Sequence, residues 1–168
     1  MVRRLLVSCV VLWSATLAAQ GQSARPSVDP QTRTKNLAEY AELLRSDVRA
    51  EKVAIITEVM GFTEAENAAF WPIYRDYDAE LTKINDLRIA NIKEYASSYN
   101  QLTDAKADEL VVNAMAYQKL RTELLAKYYE RIKKEMGAIT AARFVQVEYQ
   151  LLLIIDLQID SALPIVGS

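Results

Sequence analysis

From residue 36 onward, apolar side chains recur at three- and four-residue steps, the interval that returns to one face of an α-helix, and the recurrence breaks and restarts three times. The first stretch predicts a helix over about Asn36 to Met60, carrying Leu37, Tyr40, Ala41, Leu44, Val48, Ile55 and Val59 on its stripe. The second, from Thr63 to about Asn100, carries Phe70, Tyr74, Tyr77, Leu81, Ile84, Ile92, Tyr95 and Tyr99. The third, from Thr103 to about Met136, carries Leu110, Ala114, Tyr117, Leu120, Leu124, Tyr128 and Ile132. A fourth stretch, about Thr140 to Ser161, is apolar almost all round and includes the run Leu151-Leu152-Leu153-Ile154-Ile155.

The boundaries carry their own signals. Gly61 and Gly137 follow the first and third stretches, where a glycine takes the left-handed conformation that ends a helix. Phe62-Thr63-Glu64-Ala65-Glu66 opens the second stretch and Leu102-Thr103-Asp104-Ala105-Lys106 opens the third. In each, a threonine able to cap precedes an acid in the first turn, where the helix dipole favours negative charge. Thr63 with Glu66 makes a capping box, and Phe62 is placed to pack one turn into the helix it precedes. Pro72 lies inside the second stretch, lacks an N–H and crowds the carbonyl of Ala68, which predicts a kink or break there. The fold class expected is all-α: four helices in a single domain over 36–164, with a long antiparallel helical hairpin.

A helix apolar nearly all round has to be buried nearly all round. One hairpin cannot cover it, so the fourth helix predicts a homodimer, with Phe144, Leu151, Ile155 and Ile159 as candidate contacts. A closed four-helix monomer with that helix at its centre is the alternative. Asp156 and Asp160 share a face of the same helix. They mark either its solvated edge or a bond to another element, for instance to Arg143 of a neighbouring subunit.

Residues 1–24 read as a secretory signal peptide: Arg3 and Arg4, an apolar run from Leu5 to Ala19, then small residues near Ala24. The run is short for a membrane span of roughly twenty residues. Cys9, the sole cysteine, falls within it and would leave with it rather than carry a lipid. Residues 25–35, with Pro26 and Pro30, read as a flexible linker. Removing the leader leaves eighteen basic and twenty-two acidic residues, a net charge of −4. Such a chain carries no basic footprint for nucleic acid, and its predicted location is periplasmic or secreted.

With no histidine anywhere and no cysteine after Cys9, nucleophilic triads, zinc–thiolate sites and the Glu-x-x-His pairs of di-iron bundles are out of reach. Four glycines do not build a phosphate cradle. No enzyme activity, cofactor or metal is expected; Asp76, Asp78 and Glu80 read as a solvated acidic face. The tyrosines Tyr74, Tyr77, Tyr95, Tyr99, Tyr117 and Tyr128 are either core or an amphipathic surface for clients or partners, since tyrosine offers apolar area with a polar tip.

The leader, the helical chain of 36–162 and the two copies of an L-T-x-x-Q-like pattern resemble the Spy/CpxP family of periplasmic proteins, the LTxxQ-motif family. Thr63 and Thr103 match the motif threonine and Leu102 its leucine; Phe62 replaces the first leucine, and Glu66 and Lys106 stand at the glutamine. The resemblance implies a four-helix antiparallel homodimer shaped like a shallow cradle. Family members include an ATP-independent chaperone, an inhibitor of an envelope-stress sensor kinase and metal-responsive relatives. The function expected is therefore a periplasmic binding protein, chaperone-like or a stress adaptor, that captures exposed apolar segments of unfolded or partly folded proteins without ATP. The alternatives are a regulatory sensor binding a membrane kinase or metal ion, or a structural envelope subunit with a dedicated partner.

Overall fold

The computed structural model describes residues 50–166, and the signal-peptide, linker and first-helix assignments before residue 50 lie outside that range. Four helices follow one another: α1, described over 50–60; α2, Glu64–Ser98; α3, Asp104–Met136; and α4, Ala138–Ala162, with a 3-10 turn, Tyr99–Gln101, between α2 and α3. There is no strand among the described residues. The protein is all-α.

The helix starts and stops follow from local chemistry. At α2 the Thr63 hydroxyl accepts from the Glu66 N–H at 3.3 Å and the Thr63 N–H donates to Glu66 Oε2 at 2.9 Å. At α3 the Thr103 hydroxyl accepts from the Lys106 N–H at 3.3 Å, but a lysine cannot return the bond. The Lys106 ammonium instead meets Glu94 and Glu109 at 3.2 and 2.8 Å. Gly61 ends α1 at φ +56. Gly137, at φ +88 and ψ 160, closes α3 through an N–H bond to the Lys133 carbonyl and accepts the first bond of α4 from the Ala141 N–H. One residue thus serves both helices, and α4 begins at Ala138, two residues before its predicted start.

α2 runs through Pro72 without a break. Phe70 before the proline and Ile73, Tyr74 and Tyr77 after it are all buried, so packing on both sides holds the turn that the missing N–H weakens. A second correction concerns Phe62, whose ring packs tilted against Phe70 with ring centroids 4.8 Å apart, two turns into α2 rather than one.

Ion pairs and hydrogen bonds fix the helix directions. Asp76 meets Arg131, Glu80 meets Lys127 and Glu94 meets Lys106, so rising numbers on α2 face falling numbers on α3. These two helices, of 35 and 33 residues and about 50 Å at 1.5 Å per residue, form the antiparallel hairpin. α4 folds back along α3, and α1 lies antiparallel to α4, with Lys52 at Glu148 and Arg143 donating to the Met60 carbonyl.

The core is aromatic in its centre. Phe70, Tyr74, Tyr77, Tyr128 and Phe144 lie in edge and stacked contacts with centroids 5.3–6.3 Å apart, geometry that adds to plain area burial. Ile56 and Met60 of α1 close one end, and Leu81, Leu124, Ile132, Ala141, Val147 and Leu152 surround the rings.

Candidate functional site

Two polar inlays and one apolar face stand out against this core. The first inlay is Glu148, a fully buried carboxylate. Its Oε1 accepts from Lys52 Nζ of α1 at 2.6 Å and from the Tyr77 hydroxyl of α2 at 3.0 Å, while Oε2 has no partner among the described residues. Burial, reinforced by the adjacent Glu148 charge, pushes the Tyr77 phenol far above its ordinary value, so it serves as a fixed donor. Lys52 also sits 5.9 Å from the Tyr74 ring centroid.

The second inlay joins α2, α3 and α4. Arg121 grips Asp156 in a two-pronged contact, Nη1 to Oδ1 at 2.8 Å and Nη2 to Oδ2 at 2.6 Å. Arg88 donates to the same Oδ1 and, through its other terminal nitrogen, to Asp160 at 2.7 Å. The Tyr117 ring lies 5.4 Å from one guanidinium and 5.2 Å from the other, and its hydroxyl donates to Asn85 at 3.3 Å. Burial alone would raise the Asp156 carboxyl; the hydrogen bonds and charges of Arg121 and Arg88 outweigh it and hold the group below its usual value. Of the two readings of Asp156 and Asp160, the bond to other elements is the one found. Its partners are Arg88 and Arg121 of the same chain, while Arg143 donates to the Met60 carbonyl.

The apolar face is the outer side of α4. Ile139, Tyr149, Leu153, Ile154 and Leu157 keep 80, 56, 48, 56 and 71 % of their surface exposed. Gln146 and Gln150 are exposed among them. This departs from the closed monomer with α4 at its centre. The helix is not central, since only one side of it is covered, and the proposed contact residue Phe144 points inward at 1 % exposure. Leu151, Ile155 and Ile159 are half-buried at the margins. By length and mean hydropathy α4 is able to cross a membrane, yet Glu148 and Asp156 tie it into the bundle.

The tyrosine surface needs a like correction. Tyr74, Tyr77, Tyr117 and Tyr128 are buried, where ring packing rather than partner contact occupies them. Tyr95 and Tyr99 are half-buried and donate to the carbonyls of Pro164 and Ile165. Thr63, Glu66 and Thr103 do capping work at helix starts, as described above. Asp76 and Glu80 bind Arg131 and Lys127, and no cluster of three metal-ligating side chains occurs among the described residues.

The sequence patterns above pair none of Lys52, Arg88, Arg121 and Glu148. The available signal was a charged residue inside an apolar period: Glu148 falls between Val147 and Leu151 on the core side of α4, and Lys52 falls four before Ile56. No protein-family model, curated protein or solved structure matches this chain.

Proposed function

We propose that this chain is an extracytoplasmic helical binding protein, chaperone-like or a stress adaptor, that takes up exposed apolar segments of other proteins without ATP. The observation that carries the reading is the outer face of α4, where five large apolar side chains stay in solvent after the core is complete. Burying one such side chain fully is worth about 1.5–3 kcal/mol. A client segment covering several of them gains enough for reversible capture and too little for permanent adhesion. The exposed Gln146 and Gln150 among them keep the face wettable when empty.

The N-terminal leader pattern and the resemblance to the Spy/CpxP family support the periplasmic location and the class of activity. In this reading the capture surface is α4, not the tyrosine stripe. A cradle-like homodimer would use or flank the same face, so self-association and client binding compete.

The test is suppression of aggregation of a chemically unfolded protein at near-equimolar ratio without ATP, with the mass of the protein measured in parallel. Wild-type protein is expected to suppress, and Leu153→Ser with Leu157→Ser to lose most of the effect while retaining its helical content. A well-folded wild-type protein that suppresses nothing would overturn the proposal in favour of a dedicated envelope partner.

A further inference from the structure

The exposed row of α4 reads the same in both directions. At 3.6 residues per turn, Ile139, Gln146, Gln150 and Leu157 lie within about 40° of one another on its outer side. The order is apolar, amide, amide, apolar, placed evenly about the level of position 148. Leu153, past that level, is answered by the small, exposed Ala142 before it. None of these six side chains is charged, and Arg143 at the edge of the row is turned to the Met60 carbonyl.

Such a row complements itself when a second copy lies antiparallel across it, because a two-fold axis makes each contact occur twice. Ile139 then meets Leu157 of the second copy, Leu153 covers Ala142, and Gln146 meets Gln150, two amides that both donate and accept. The ends match as well. Asp160, three positions past Leu157, falls opposite the start of α4 in the second copy. That start has no side-chain cap and no acid in its first turn, and Lys133 and Lys134 stand in the adjoining last turn of α3. Asp160 is 61 % exposed and gives only one oxygen to Arg88. Arg88 and Arg121 balance Asp156 and Asp160 in sum, so what Asp160 offers is a local acceptor for the N–H groups of an uncapped helix start.

Size points the same way. Ile139, Tyr149, Leu153, Ile154 and Leu157, 48–80 % exposed on each copy, make an interface of about 1,200 Å², the lower edge of the standard class. An interface of that size suits a pair that forms and separates. The contacts inferred from the apolar run, Phe144, Leu151, Ile155 and Ile159, have no place in the central row.

We propose that α4 docks on α4 of a second copy, antiparallel and in this register, and that the dimer is the closed form of the capture face, covered in the pair and free in the monomer. The functional half rests on the capture reading, while the contact itself needs no client.

The experiment is cysteine cross-linking in a Cys9→Ser background, beside sedimentation equilibrium over a range of concentrations. The protein is expected to be a reversible dimer. Ile139→Cys with Leu157→Cys should give a covalent dimer on mild oxidation. Either variant alone should cross-link at least tenfold less, because like positions lie about 27 Å apart in this register, beyond the span of a disulfide. Both sites are exposed, at 80 and 71 %, so helical content should be unchanged. The oxidised double variant should suppress aggregation of an unfolded protein at least tenfold less than the same protein after reduction. Mass and cross-linking involve no client, so failure of the contact and failure of the capture reading are read by different measurements. A mass that stays monomeric at every concentration, single variants that cross-link as readily as the pair, or a cross-linked dimer that suppresses as well as the reduced protein would each overturn the proposal.

Discussion

Replacing Lys52 by methionine keeps the stem that packs against Tyr74 and removes only the ammonium. Glu148 then stays fully buried, its Oε1 held by the Tyr77 hydroxyl at 3.0 Å alone and its Oε2 still unmatched. Removing one partner of a buried ion pair costs about 3–5 kcal/mol, because the remaining charge is left uncompensated. Against a total stability of about 5–15 kcal/mol for a domain, that is a large fraction. Replacing both partners, Lys52→Met with Glu148→Leu, removes the desolvation cost as well and should restore most of the loss; apolar substitutes for a whole buried pair are commonly neutral or stabilising. The assay is urea unfolding followed by circular dichroism for wild type, both single variants and the double variant. The expected pattern is two strongly destabilised singles and a double variant more stable than either, a coupling of at least about 2 kcal/mol. Additive losses, or a Lys52→Met cost below about 1 kcal/mol as for a surface pair, would refute the claim that α1 is joined to α4 through a desolvated charge.

Two further outcomes follow from named contacts. The folded-state carboxyl of Asp156 is depressed below its unfolded value, so its contribution is fully present above an unfolded value near pH 4 and is lost as pH falls through the lower folded value. Asp156→Asn should therefore destabilise at pH 7 and flatten the decline in melting temperature as the pH falls below about 4; an unchanged acid profile would show the arginines act elsewhere. Thr63→Ala should cost about 1 kcal/mol in the same urea assay, near the middle of the range for a capping side chain. Thr103→Ala should cost less, because α3 lacks the reciprocal bond that Glu66 supplies at α2, and a reversed order would contradict the capping-box account.

The helices themselves were legible because each boundary is written in adjacent residues. Gly61, Thr63, Thr103 and Gly137 act through bonds spanning three or four positions, and such bonds need no knowledge of the rest of the chain. Pro72 shows where local reasoning stops: its effect on the backbone is local, but the burial of Phe70, Ile73, Tyr74 and Tyr77 that holds α2 together around it depends on α1, α3 and α4. The same holds for the tyrosines. Periodicity placed Tyr74, Tyr77, Tyr117 and Tyr128 on common faces, and only the packing of the other helices shows those faces to be interior. Lys52 and Glu148 are 96 positions apart, and Arg121 and Asp156 are 35 apart; no short-range pattern pairs them.

These long-range pairs also explain why α4 leaves a particular side uncovered. A helix with apolar residues all round has no hydrophobic reason to prefer one rotation about its axis, and a slip would bury another strip at similar gain. Glu148 removes that freedom, because it must face Lys52 and Tyr77, and Asp156 must at the same time face Arg88 and Arg121. At 3.6 residues per turn, Glu148 and Asp156 point about 80° apart, and Leu157 points about 180° from Glu148. Turning Leu153 and Leu157 into the core would withdraw both carboxylates from their partners and leave the buried Lys52 ammonium without its counter-charge. Buried polar groups specify orientation at the expense of stability, and here the orientation they specify is the one that presents Ile139, Leu153 and Leu157 to solvent. The exposed strip is therefore held outward by the interior of the bundle, and is not a remainder that a small rotation of α4 would hide.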